Sequence, residues 1–316
     1  MMLSDMVLAI DIGGTKIAAG LVDPNGRIHQ YKETPTRAAE GGEAVMQRAT
    51  DLAHCYLTDK HDTTPPFSCI GVSSAGQINF RTGQVIWATE NLPGWTGMPI
   101  KENLESALDL PITVDNDVNC MAMGEMVFGA ARGYRHILCL MIGTGIGGGL
   151  ILDGQLYRGW RGSAGELGHF IIDEHGPICP CGARGCLEVF TCGPAIERDY
   201  AARILQHQEK GGLSTLPQIA QLAHNGDADA REAIRTAGYH LGIGLVGMVN
   251  LLNPQIVVVG GGVVRIGALF LDEARSVVKD LALGPMRETE IAAAQLEGAF
   301  SSLVGAAVLA RVRQKE

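Results

Sequence analysis

The sequence predicts an α/β protein, and three observations predict it. Apolar runs of strand length end on glycine or small polar residues at Val7–Ile12, Cys69–Val72, Ile112–Val114, His136–Ile142 and Ile256–Val259. Stretches with apolar residues at helical spacing fall between them, as at Val45, Ala49, Leu52, Ala53 and Tyr56. A strand, glycine-threonine turn, strand pattern occurs twice, at GGTK (Gly13 to Lys16) and at GTGIGGG (Gly143 to Gly149), as a duplicated scaffold would leave it. At 316 residues the chain has material for two domains of ordinary size.

Taken in order, Val7–Ile12 and Lys16–Val22 form a hairpin before Asp23-Pro24-Asn25-Gly26 turns the chain. The N–H groups of Gly13 and Gly14 can approach a phosphate, Thr15 adds a hydroxyl, and Asp11 at the strand end can hold Mg2+. The turn lacks the GxxxxGK[ST] spacing of a phosphate loop, and taken alone a plain tight hairpin explains it equally well. Arg27–Thr34 reads as a third strand and Gly42–Tyr56 as a helix. The strand at Cys69–Val72 runs into Ser73, Ser74, Ala75 and Gly76, and ligands of such sheets bind beyond the carboxyl ends of strands, which puts Gly76 and Gln77 there. Thr89, Glu90 and Asn91 precede a stiff turn ending at Trp95. An Asn amide both donates and accepts, as a sugar hydroxyl requires, or it satisfies its own turn.

Ile100–Leu108 reads as a helix. The strand at Ile112–Val114 then delivers Asp115, Asn116 and Asp117 at its end, where a carboxylate can accept the proton of a substrate hydroxyl. Spacing alone does not say which aspartate does so and which caps the helix beginning near Asn119, and Asn119 is a further cap candidate. After His136–Ile142 come the Gly143–Gly149 turn and apolar Leu150–Leu152. Helices follow at Gly193–Leu205, Leu216–Ala223 and Asp229–Leu252, the last stopped by Asn253-Pro254. Ile256–Val259 delivers Gly260, Gly261 and Gly262, which can accommodate a purine or ribose, and helices at Leu269–Leu281 and Ser302–Arg313 close the chain. No Ser-rich, Pro-rich or charged linker is present. The expected division is a hinge near Asp115–Asn119, with a small lobe of residues 1–117 joined by 302–316 and a large lobe of 118–301.

The stretch from Gly165 to Glu188, GELGHFIIDEHGPICPCGARGCLE, reads as a loop folded around something. Cys179, Cys181 and Cys186 offer three thiolates, and His169 or His175 a fourth ligand, for a tetrahedral zinc. Four protein ligands leave no open position for water, so the expected zinc is structural. It would fix the path of the loop and aim Glu166 and Glu188, two carboxylates suited to a polyhydroxylated ligand. The other five cysteines (Cys55, Cys69, Cys120, Cys139, Cys192) stand singly, as reduced thiols of a cytoplasmic protein do.

Charge and hydropathy exclude other classes. A net charge of −9 argues against a nucleic-acid partner, whose phosphates call for a basic patch. No apolar run approaches the ~18 residues of a membrane helix, and no opening stretch resembles a signal peptide, so a cytoplasmic protein is expected.

DIGGTK, VDNDVN, IGTGIGGG, GELGH, CPCGARGCLE and VVVGGG stand in the order in which they occur in the ROK family of sugar kinases, which this chain resembles from Asp11 to its last helix. The resemblance implies an actin-like (ribonuclease H-like) two-lobed ATPase fold with ATP in the cleft, a homodimer, and phosphorylation of a hexose. It also implies zinc held by His169, Cys179, Cys181 and Cys186. By the same carry-over Asp117 is the catalytic base, and Gly76, Thr89, Asn91, Asn116, Asp117, Glu166, His169 and Glu188 bind the sugar. Asp11, Gly13, Gly14, Thr15, Lys16, Gly143, Thr144, Gly145, Gly147, Gly148, Gly261 and Gly262 face ATP, with Mg2+ on its phosphates. Glucose is the expected acceptor at its 6-hydroxyl, with N-acetylmannosamine or N-acetylglucosamine as alternatives. A non-catalytic sugar sensor is the alternative of another class. The family's transcriptional repressors carry an extra winged-helix domain in front, whereas here the first strand begins at residue 7.

Overall fold

In the computed structural model, which describes residues 6–58, 65–206, 214–296 and 299–314, the chain opens with a hairpin of β1 (Met6–Ile12) and β2 (Lys16–Val22). Next come β3 (Ile28–Pro35), α1 (Gly42–Thr58), β4 (Phe67–Ser74), the small hairpin of β5 (Gln77–Asn79) and β6 (Gln84–Trp87), and α2 (Ile100–Leu108). β7 (Ile112–Asn116) then runs directly into α3 (Asp117–Phe128). The sheet has the order β3-β2-β1-β4-β7, with β1, β4 and β7 parallel. Alternation along β1 buries both of its faces. Leu8, Ile10 and Ile12 join the core under α1 and α2, while Val7 and Ala9 join Leu303, Val304 and Ala307 of the last helix, α9 (Ala299–Arg313). That helix lies so close on β4 that a Cβ at Gly71 would stand 2.2 Å from the Ala306 carbonyl oxygen.

A second hairpin, β8 (Ile137–Ile142) with β9 (Ile146–Leu152), repeats the first. A short strand β10 (Gln155–Tyr157) comes next, then the loop ending at α4 (Glu188–Thr191), followed by α5 (Gly193–Gln206), α6 (Leu216–His224) and α7 (Ala228–Leu252). β11 (Ile256–Gly260), α8 (Ala268–Leu281) and β12 (Glu290–Ala293) complete this part. β9, β8, β11 and β12 lie side by side in that order, with β8, β11 and β12 parallel. Both hairpins therefore feed a pair of parallel strands in the same way.

The described chain divides into two units. One comprises the chain up to Gly133, Gln155–Ala164 and the chain from Gln295 onward; the other comprises Tyr134–Gly154 and Gly165–Ala294. The division falls after Gly133 and not near Asp115–Asn119, because β7 continues into α3 without a break and α3 packs along α9. Buried Glu125 on α3 holds this end of the unit together by accepting from the N–H groups of Ala130, Gln295 and Leu296.

Candidate active site

The parallel strands of the first unit end on polar side chains set in a row. Register pairs Asp11 of β1 with Ser73 of β4, and Ser73 with Asp115 of β7. The Ser73 hydroxyl donates to Asp11 Oδ1 at 2.6 Å. Burial pushes the Asp11 carboxyl up to about 7; the Ser73 hydrogen bond pulls it down, the Asp117 charge pushes it up, and Lys16 pulls it down. A half-buried carboxylate hydrogen-bonded to a serine and, among the described residues, paired with no arginine is suited to a hard metal cation.

The two neighbouring aspartates are treated in opposite ways. Asp115 is 2% exposed and accepts from Arg158 Nε and Nη2 on Oδ2, both at 2.7 Å. Its Oδ1 accepts from Asn119 Nδ2 and the Asn116 N–H, both at 2.9 Å. Asp115 is thus a neutralised anchor. Asp117 begins α3, and its Oδ1 accepts from the Val118 N–H and from Asn116 Nδ2, each at 2.9 Å. The cap of α3 is neither aspartate nor Asn119 but Asn116, whose Oδ1 takes the N–H groups of Val118 and Asn119. The Asn116 amide also donates to the Gly76 carbonyl at 3.0 Å, so its side chain positions both Asp117 and the end of β4.

Gly76 turns with φ +97°, a conformation open to glycine, and a Cβ there would meet the Trp87 carbonyl oxygen at 2.9 Å. Thr89 and Asn91 are exposed on the turn that follows β6. Trp95 anchors that turn from below, fully buried, its Nε1 donating to Ser74 Oγ at 3.1 Å. In the first hairpin's turn, the Gly13 carbonyl accepts from Thr36 Oγ1 at 2.6 Å, and the Thr15 carbonyl accepts from the Thr36 N–H. Gly14 and Thr15 are exposed, and Lys16 pairs with Glu33 at 2.8 Å.

In the second unit the strand ends carry glycine instead. Residues 143–145 make the hairpin turn, with the Gly143 N–H donating to the Gly145 carbonyl and the Gly193 N–H, at the start of α5, donating to the Gly143 carbonyl. Gly261 has φ +94°, and a Cβ there would lie 2.3 Å from the Ile142 carbonyl oxygen, while nothing stands within 4 Å of a Cβ at Gly143 or Gly262. These corners form a backbone-walled platform. Gly147 and Gly148 are not part of the turn; they pair with Met141 and Leu140 inside β9. A Cβ at Gly148 would strike the Gly165 carbonyl oxygen at 2.4 Å, so this glycine lets the loop from Gly165 lie against the strand.

That loop brings four metal-type ligands together. One ligand atom from each of His169, Cys179, Cys181 and Cys186 lies within 4.8 Å of every other. The Cys181 and Cys186 sulfurs are 3.7 Å apart, and Cys179 Sγ is 3.6 Å from His169 Nδ1. Ligands about 2.3 Å from a central ion at tetrahedral angles stand about 3.7 Å apart, so the four fit zinc. His175 is exposed beside Glu174, outside this group. Glu166 is exposed at the head of the short turn Leu167–His169. Glu188 opens α4 and accepts from the Ile146 N–H on Oε2 at 2.7 Å, while its Oε1 lies 3.9 Å from Cys179 Sγ. The thiol loop and the glycine turn are thereby joined through one carboxylate. Sequence reasoning missed this link, along with Ser73, Gly193 and Arg158; only the small residues at strand and helix ends signalled any of them.

A hairpin feeding parallel strands, built twice, with carboxylates at one set of strand ends and a thiol-clamped loop beside the other, defines the class: a two-unit α/β protein equipped for anionic and hydroxylated ligands. The chain belongs to the ROK family, whose profile matches residues 7–313. It is 33% identical to a glucokinase of Streptomyces coelicolor over 97% of this chain and 98% of that one. A ROK family glucokinase from Streptomyces griseus, solved in complex with glucose and AMPPNP, is 33% identical and superposes with a TM-score of 0.81 over 97% of this chain and 99% of that one. A xylose repressor of Bacillus subtilis is 33% identical over 86% of this chain and 68% of its own. The fold is accordingly the actin-like one. No helix among the described residues is long and apolar enough to cross a membrane.

Proposed function

We propose that this chain is an ATP-dependent hexokinase that transfers the γ-phosphoryl group to the 6-hydroxyl of glucose, with Asp117 as the base. The observation that carries this reading is the unequal treatment of the two aspartates: Arg158 neutralises Asp115, while Asp117 stands at the head of α3, oriented by two donors. The similarity to the two Streptomyces glucokinases supports the substrate class. Phosphoryl transfer asks mainly for positioning and charge neutralisation. Asp117 would take the proton of the attacking hydroxyl, and Asp11 would hold Mg2+ directly or through water. The N–H groups of Gly14 and Thr15, and of Thr144, Gly145 and Gly262, are the proposed nucleotide contacts, while Gly13 and Gly143 shape the two turns, their own N–H groups being bonded to the Lys16 and Gly145 carbonyls. Lys16 is a weaker one, since it is engaged with Glu33.

The proposed sugar contacts are Gly76, Thr89, Asn91 and Asn116, and, on the thiol loop, Glu166, His169 and Glu188. Zinc on His169, Cys179, Cys181 and Cys186 would supply a fixed loop shape and no reactive water. With Nδ1 facing the sulfurs, Nε2 of His169 is the nitrogen left for a sugar hydroxyl. The resemblance also supports a cytoplasmic homodimer, which sedimentation equilibrium would report as twice the monomer mass.

ATP consumption with glucose, mannose, N-acetylglucosamine and N-acetylmannosamine tests the proposal. The expected result is the highest kcat/KM for glucose. Preference for an N-acetylhexosamine would reassign the acceptor. Sugar binding without any phosphate transfer would favour a sugar-sensing regulator, the reading that the xylose repressor's similarity supports.

A further inference from the structure

We infer that Arg158 is a positioning residue for phosphoryl transfer, acting on Asp117 through Asp115 and Asn116; the inference rests on Asp117 being the base. Arg158 lies in the Gln155–Ala164 stretch, the one piece of chain that belongs to the first unit while the residues on either side of it belong to the second. Its guanidinium stacks on the Phe80 ring at 4.8 Å from the centroid and places both Nε and Nη2 on one oxygen of Asp115. A planar fork held on a ring face fixes the direction of the carboxylate as well as its charge.

From there the order is passed along in two steps. With Oδ2 held by Arg158, Oδ1 of Asp115 takes the Asn116 N–H and the Asn119 amide. This sets the backbone at the strand-to-helix junction and leaves the Asn116 side chain to cap α3 and donate to Asp117 Oδ1. Without the guanidinium, a 2%-exposed carboxylate would stand two residues from the base with no cation beside it. The buried Cys120 thiol reports the same grouping of charge: burial raises it most, Asp115, Asp11 and Asp117 raise it further, and Arg158 opposes them. None of these contacts requires Arg158 to touch sugar or nucleotide. Its loss should therefore fall on turnover far more than on hexose affinity, which it reaches only through Asn116.

The experiment compares Arg158→Met, Arg158→Lys and the double variant Asp115→Asn/Arg158→Met with the wild type. For each, kcat is measured with saturating MgATP and the hexose dissociation constant by calorimetry, and circular dichroism checks folding. Arg158→Met is expected to lower kcat about tenfold or more while hexose affinity stays within about threefold, a loss confined to the transition state. Arg158→Lys keeps the charge without the fork and should fall between. Removing the stranded charge in the double variant should restore most of the lost turnover. If Arg158→Met does not fold, the same split is read on Arg158→Lys. Wild-type kcat in Arg158→Met, or parallel loss of kcat and affinity that the double variant does not relieve, would overturn the inference and leave Arg158 a structural anchor. A wild type that phosphorylates no hexose overturns the proposed function first, and this inference with it.

Discussion

The two sheets share a strand order and differ in what they put at their strand ends. Across β1, β4 and β7 the row near the strand ends reads Asp11, Ser73, Asp115, and across the corresponding β8 and β11 it reads Met141, Gly260. One copy of the scaffold carries side-chain charge in that row; the other carries none there, and Gly143 and Gly262 just past its strand ends leave backbone open. In the second unit Glu166 and Glu188 come instead from a loop that gathers three thiols and an imidazole. The difference teaches that in a duplicated fold the topology sets where chemistry can sit, and the residues at strand ends decide which half does what.

The sharpest break of this contrast is Asp117→Asn. It should lower kcat about 100-fold or more with hexose binding largely intact, as steady-state kinetics and calorimetry would show. A smaller effect is expected from Cys186→Ser, which removes a buried member of the sulfur group. Metal content by mass spectrometry should drop, and the hexose KM should rise about tenfold or more through misplacement of Glu188 and His169. Smaller again, Gly261→Ala places a side chain at φ +94° against the Ile142 carbonyl. It should cost about 1–3 kcal/mol, read as a lower Tm, because the second unit depends on close approach and not on charge.

A further effect concerns pH. The Asp11 carboxyl is raised from 3.8 to about 7 in the fold. Between these values the folded state holds a proton that the unfolded state has released, so this group's contribution to stability declines as pH rises from about 4 to about 7. Asp11→Asn should flatten that decline in thermal unfolding. If Mg2+ binds Asp11, MgATP binding near pH 7 should release protons, detectable by calorimetry in buffers of different ionisation enthalpy.

Much of this was legible in the sequence where periodicity runs long. The hairpins, α2, α7 and the strands at β4, β7, β8 and β11 follow from apolar spacing and glycine punctuation. β5, β6, β10, β12 and α4 span three or four residues each, too few for a period to show. The run from Gly143 to Gly149 looked like one phosphate-facing turn, because a glycine needed for close approach and a glycine needed for a turn are the same letter; the fold separates residues 143–145 from Gly148. His169 and His175 were equal candidates by spacing, and only the path of the loop puts His169 beside Cys179. Arg158 gave no signal at all, since its partner is 43 residues away. Spacing alone left Asp115 and Asp117 open, the resemblance assigned Asp117, and the contact that sets the two apart in the fold was unreadable.

The most direct test of the account is phosphorus NMR of the purified protein incubated with MgATP and glucose, beside the Asp117→Asn variant. The account predicts growth of a glucose 6-phosphate resonance matched by loss of the ATP γ-phosphate in the wild type, and about 100-fold slower growth in the variant. Transfer at equal rates in both, or no phosphate ester from glucose or any N-acetylhexosamine offered, would contradict it.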